Sequence, residues 1–128
     1  MRIKLAGIFV DDQDRARDFY SDVLGFKVKT DAPYSETARW LALVSPDDPD
    51  GTELLLDVPD EAARAFQRAT REAGKPATAF ATEDCRAEYE RLVARGVTFT
   101  MEPTKMPYGG IDAVFDDTCG NLICLHQD

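Results

Sequence analysis

Six consecutive positions from Leu5 to Val10 are apolar or small, a run that predicts a buried strand over residues 3–10. Asp11 and Asp12 interrupt it. Either one suits the cap of a helix whose Ala16, Phe19, Tyr20, Val23 and Leu24 fall along one face, and Gly25 suits its end. Further apolar stretches predict strands over 26–30, 39–44 and 53–58, the last two joined by the acidic turn from Pro46 to Gly51. A helix over 59–74 follows, with Ala62, Ala63, Phe66, Ala69 and Ala73 on one side and Gly74 and Pro76 to stop it. The same succession then returns as a strand over 76–82, a helix over 84–95 and strands over 97–101, 111–115 and 121–126. Between the last three, Met101–Gly110 holds two prolines and Gly109-Gly110 and reads as a loop.

The return is in register. Asp84 follows Asp12 by 72 positions, Gly96 follows Gly25 by 71 and Gly120 follows Gly51 by 69. A nearly constant offset argues for two copies of one β-α-β-β-β unit. The expected organisation is one domain over 1–128, of the α+β class: module one over 1–58, a linker helix over 59–74 and module two over 75–128. Mostly antiparallel sheet from the two modules is expected to form a cup, the kind of concavity that takes a small molecule.

Composition narrows the partner. The formal charge of −9 and the absence of a basic stripe argue against nucleic acid, whose phosphates need clustered Lys and Arg. No run approaches the ~20 apolar residues of a membrane-crossing helix, so no membrane partner is expected. Cys85, Cys119 and Cys124 are an odd set without scaffold-like spacing, which fits reduced thiols and the cytoplasm.

Val10-Asp11-Asp12, Phe19-Tyr20, Leu24-Gly25-Phe26 and the closing Phe115-Asp116-Asp117-Thr118-Cys119-Gly120-Asn121 resemble the landmarks of the glyoxalase/bleomycin-resistance/extradiol-dioxygenase superfamily, the vicinal oxygen chelate proteins. The resemblance spans the chain apart from the linker helix. It implies the fold and leaves the activity open, because the superfamily holds lyases, isomerases, dioxygenases, transferases and plain drug binders. Metal-dependent members take ligands from the first and last strand of each module. Those positions correspond here to Leu5, Leu55, Ala77 and Cys124, and three of these side chains offer a metal nothing. The expectation is therefore no metal and no cofactor. A two-residue slip would keep strand face and bring Glu53, Asp57 and His126 beside Cys124 as a non-standard alternative.

The expected pocket takes alternate residues of the modules' outer strands: Leu5, Gly7 and Phe9, then Glu53, Leu55 and Asp57, then Cys124 and His126, with Trp40 on a wall and Tyr108 on a Met101–Gly110 lid. A flat ligand with a donor or positive charge, held by stacking and by Asp57 or Glu53, would suit it. Cys124 and His126 lie i, i+2 on one strand and read better as a small buried thiol and a chain-end histidine than as a thiolate–imidazole pair. The resemblance implies a metal-independent binder of the bleomycin-resistance type. A lyase, isomerase or transferase using Cys124, His126, Asp57 or Glu53 is the alternative, so whether the chain is an enzyme stays open. A homodimer is expected, since open sheet edges need cover.

Overall fold

Asp12 caps the first helix, its carboxylate accepting the Arg15 N–H at 3.0 Å. The computed structural model describes all residues 1–128 as two units, Met1–Arg64 and Ala65–Asp128, whose boundary falls inside the middle helix. The first unit runs β1 (Leu5–Phe9), α1 (Gln13–Asp18), β2 (Lys27–Pro33), β3 (Arg39–Val44) and β4 (Glu53–Asp57). Helix α2 (Glu61–Glu72) leads into β5 (Thr78–Ala81), α3 (Cys85–Ala94), β6 (Phe99–Lys105), β7 (Ile111–Asp116) and β8 (Leu122–Gln127). Each unit holds one four-stranded mixed sheet, ordered β1-β4-β3-β2 in the first and β5-β8-β7-β6 in the second. The outer pairs β1–β4 and β5–β8 are parallel and the rest antiparallel. This is the α+β, twice-written architecture that the offsets imply.

The helix expected from Asp12 to Leu24 is not uniform. After Asp18 it widens into a π-helical turn, Phe19–Val23, with the Leu24 N–H bonded to the Phe19 carbonyl at 3.0 Å. Ser21 Oγ donates to the Arg17 carbonyl at 2.6 Å, a competing bond of the kind that distorts a helix. The extra residue per turn lets Phe19 and Tyr20, adjacent in sequence, both reach the core, where they meet edge-on at 5.5 Å. Against them lie Ile8, Leu41, Leu43 and Leu56, all buried. In the second unit Tyr89 of α3 meets Phe99 at 4.7 Å and Phe99 meets Phe115 at 5.5 Å, which fixes the sheet face that packs on α3.

At the edge of the first sheet Arg39 Nε and Nη2 donate to Asp31 at 2.7 and 3.0 Å, while its Nη1 reaches Asp14 at 2.7 Å. The Arg39 bonds, acting against the cost of burial and helped by Arg17, hold the Asp31 carboxyl down at about 2. A depressed carboxylate contributes stability above its unfolded pKa, and that contribution fades as pH falls toward the folded value. Because both side chains are about one-quarter exposed, solvent screening leaves about 1 kcal/mol. Asp31→Asn is therefore expected to melt about 1 kcal/mol less stably near neutral pH, with the deficit vanishing near pH ~2. An undiminished deficit in acid denaturation would rule this pairing out as its source.

Candidate functional site

Phe115 and Ile123 are cross-strand partners on the α3-packed face, so alternation turns Asp112, Val114 and Asp116 of β7, and Leu122, Cys124 and His126 of β8, to the opposite face. Register sets Asp112 opposite His126 and Val114 opposite Cys124. Asp112 is only 5% exposed, and three side chains bond to its carboxylate. His126 Nδ1 lies 2.6 Å from Asp112 Oδ1, the Tyr108 hydroxyl donates to Oδ2, and the Cys124 thiol is hydrogen-bonded to the same group. Burial pushes the Asp112 carboxyl up, but the Tyr108 and His126 bonds more than offset it and leave the group an acid below its usual range. An ionised Asp112 fixes the proton on His126 Nδ1. The other ring nitrogen, Nε2, lies 3.1 Å from Asp128 Oδ1, and the bonds to Asp112 and then Asp128 raise the imidazole's pKa. Burial first, then the Asp112 charge, lifts the Cys124 thiol to about 11, so it stays protonated and a poor nucleophile. The Asp112 bond, with burial, lifts the Tyr108 phenol to about 12.

The stretch Met101–Gly110 is not the hanging loop its prolines suggest. Strand β6 continues to Lys105 because Pro103 falls where pairing with β7 slips register, so no ladder bond is lost. What remains is a tight turn, closed by Met106 N–H to the Gly110 carbonyl at 3.1 Å and Gly109 N–H to Met106 at 3.0 Å. Gly110 permits it: φ is +79°, and a Cβ there would stand 2.5 Å from the Gln127 carbonyl and 2.9 Å from His126 Cε1. Tyr108 is thereby delivered to Asp112 from a hairpin tip.

Farther along the same face Met101, Val114 and Leu122, with Arg71 and Gly74 past the C-terminal half of α2, line an open groove of about 500 Å³. Arg71 is held there by Asp116 at 2.6 Å and the Asn121 carbonyl at 3.3 Å. The turn that ends this face is built by Asp117, wholly buried, which accepts Cys119 N–H at 2.7 Å, Asn121 N–H at 2.9 Å and Asn121 Nδ2 at 2.8 Å.

In the first unit the register sets Leu5 beside Glu53, Gly7 beside Leu55 and Phe9 beside Asp57, on the face turned away from buried Ile8 and Leu56. Trp40, 37% exposed, shares that face and meets Tyr34 edge-on at 6.3 Å. Two carboxylates there are already engaged: Glu53 takes Lys4 Nζ at 2.5 Å, and Asp57 accepts the Val58 N–H at 2.9 Å. Of the sequence-chosen residues, Tyr108, Cys124 and His126 come together in the second unit. Asp112, the group that joins them, was missed. The signal was an acidic residue at an inward-alternating place of the apolar strand Ile111–Phe115.

A family model described as the Glyoxalase/Bleomycin resistance protein/Dioxygenase superfamily matches residues 2–125. The chain belongs to this superfamily. The protein YurT of Bacillus subtilis (strain 168), itself described as uncharacterized, is 54% identical over 99% of either chain. Among solved structures, UcmS2 is 35% identical with a TM-score of 0.85, covering 100% of this chain and 98% of that one. TnmS3, described as an antibiotic binding protein from Streptomyces sp. CB03234, is 29% identical with a TM-score of 0.78, covering 99% and 95%. Some superfamily members use a metal, and the donors present here do not fit one. Leu5, Leu55 and Ala77, three of the four positions that correspond to the ligands, hold no donor atom, and no group of three or more His, Cys, Asp or Glu side chains is disposed to hold a metal ion.

Proposed function

We propose that this superfamily member reversibly binds a small organic molecule without a metal and without changing it. The carrying observation is the face of β7 and β8 opposite α3, which borders an open groove at Met101, Val114 and Leu122 and, farther along the same strands, presents a buried carboxylate bonded by Tyr108, His126 and Cys124. Apolar walls with a few oriented polar groups hold and orient a ligand, whereas turnover needs a group poised to react. Cys124 at about 11 is not so poised. The printed description of TnmS3 as an antibiotic binding protein supports the same class of activity. Leu5, Gly7, Phe9, Trp40, Glu53, Leu55 and Asp57 remain proposed contacts on the corresponding face of the first unit.

A thermal-shift screen of flat aromatic compounds, followed by calorimetry, is expected to find ligands whose affinity survives a chelator and which are recovered intact. Trp40 is the single tryptophan, so a ligand on its face is expected to quench or shift its fluorescence. Affinity stripped by the chelator, or a recovered product in place of the ligand, sinks the proposal. One observation favours a second reading, a lyase, isomerase or transferase of acid–base type: the Asp112–His126 pair has the form of an oriented general base. Turnover lost in His126→Ala with folding intact would select it. The proposal includes a homodimer, supported by the terminal strands of the two sheets, β1 and β2 in one and β5 and β6 in the other. A cytoplasmic setting is supported by three free cysteines.

A further inference from the structure

Asp112 has no edge left for a ligand: it is 5% exposed, and its oxygens are turned to Tyr108, His126 and Cys124. Recognition on this part of the face falls instead to what Asp112 presents. That is His126 Nε2, the outward nitrogen of a ring whose inner nitrogen is anchored at 2.6 Å. Nε2 is met by a single group, the Asp128 carboxylate at 3.1 Å, whose side chain is fully exposed. An exposed ion pair of this kind contributes little and exchanges readily with water or a better acceptor. A carboxylate thus already stands beside a donor on the strand face that also carries Val114 and Leu122.

Resting on the binding reading above, we propose that the ligand carries an acidic oxygen, a carboxylate or an ionised hydroxyl, which displaces the Asp128 carboxylate from His126 Nε2 while its apolar body lies along β8 toward Leu122. The span from Leu122 to His126 is four strand residues, ~13 Å, the scale of a fused-ring body with one acidic end. This reverses the cationic ligand that Glu53 and Asp57 suggest, because those carboxylates are occupied and the donor lies at His126. The chain's charge of −9 does not forbid it, since salt screens exposed charges beyond ~8–10 Å.

The test compares naphthoate, naphthamide and naphthylmethylammonium as isosteric probes on the full chain, by calorimetry and by NMR of its one histidine. Naphthoate is expected to bind about tenfold more tightly than the amide, and the ammonium weakest. Asp128→Asn, an exposed change that leaves the fold untouched, is expected to tighten naphthoate several-fold and leave naphthamide unmoved. In the wild-type chain naphthoate is expected to shift the imidazole signal of His126, and naphthamide is expected to leave it in place. His126→Gln, checked for an intact melt, is expected to erase the preference for naphthoate. Equal binding of all three probes, or a preference unaffected by Asp128→Asn, overturns the acidic-oxygen inference and leaves the binding reading standing. Conversion of the probes, or no binding by any of them with the chain folded, overturns both.

Discussion

Asp112→Asn is expected to cost the site its geometry: ligand affinity falls about tenfold or more and stability by about 1–3 kcal/mol. The asparagine is nearly the same size, so no cavity opens. What changes is that an amide offers one acceptor oxygen where the carboxylate offered two, while Tyr108, His126 and Cys124 all still donate toward it. One donor must face the amide nitrogen, a clash of like groups in a place only 5% exposed. The imidazole then loses both its anchor and the bond that raises its pKa, so the histidine signal is expected to titrate back toward its ordinary ~6.5. The sign follows from linkage. A raised histidine contributes stability below its unfolded pKa and loses it as pH rises through the folded value, so the variant's stability should vary less over that window. An unmoved histidine titration in Asp112→Asn would show that Asp112 does not position it.

Asp117→Ala is expected to be the most destabilising single polar change in the second unit, about 3 kcal/mol or more in denaturant unfolding. The aspartate is wholly buried and takes three N–H donors of the Cys119–Asn121 turn, two on one oxygen and one on the other. Alanine strands those donors without water. The same turn holds Thr118 at φ 63°, a left-handed conformation that a β-branched residue resists, so its loss of bonds falls on an already strained segment. Gly120 beside it, φ +101°, sits in a backbone conformation that any side chain would strain. A loss below about 1 kcal/mol would mean that the turn is held from elsewhere.

The repeat, the strand alternation and the helix caps were all readable along the chain because they are local: Asp12 and Asp84 each cap the helix that follows them. Alternation also set Cys124 and His126 on one face without any knowledge of what lay opposite. Asp112 escaped for the reason that cross-strand chemistry usually does. Its meaning comes from a residue fourteen positions away, and only the β7–β8 register makes them neighbours. Pro103 misled in the other direction, since a proline forbids a ladder bond but not a strand that slips register at that point. The π-helical turn at Phe19 was invisible in a pattern that a regular helix fits almost as well.

The parallel outer pairs also dictate an order of assembly. Strands β2, β3 and β4 are antiparallel neighbours in chain order, as are β6, β7 and β8, so each trio can zip from local contacts. Strand β1 has no partner until β4 exists, nearly fifty residues later, and β5 waits likewise for β8. Closing such a long loop is the slow event in forming a mixed sheet. In a chain made from its N-terminus, the first-made strand of each unit is therefore the last to find its place, and Ile8 and Val10, the buried residues of the Leu5–Val10 run, stay uncovered until their module has almost wholly emerged.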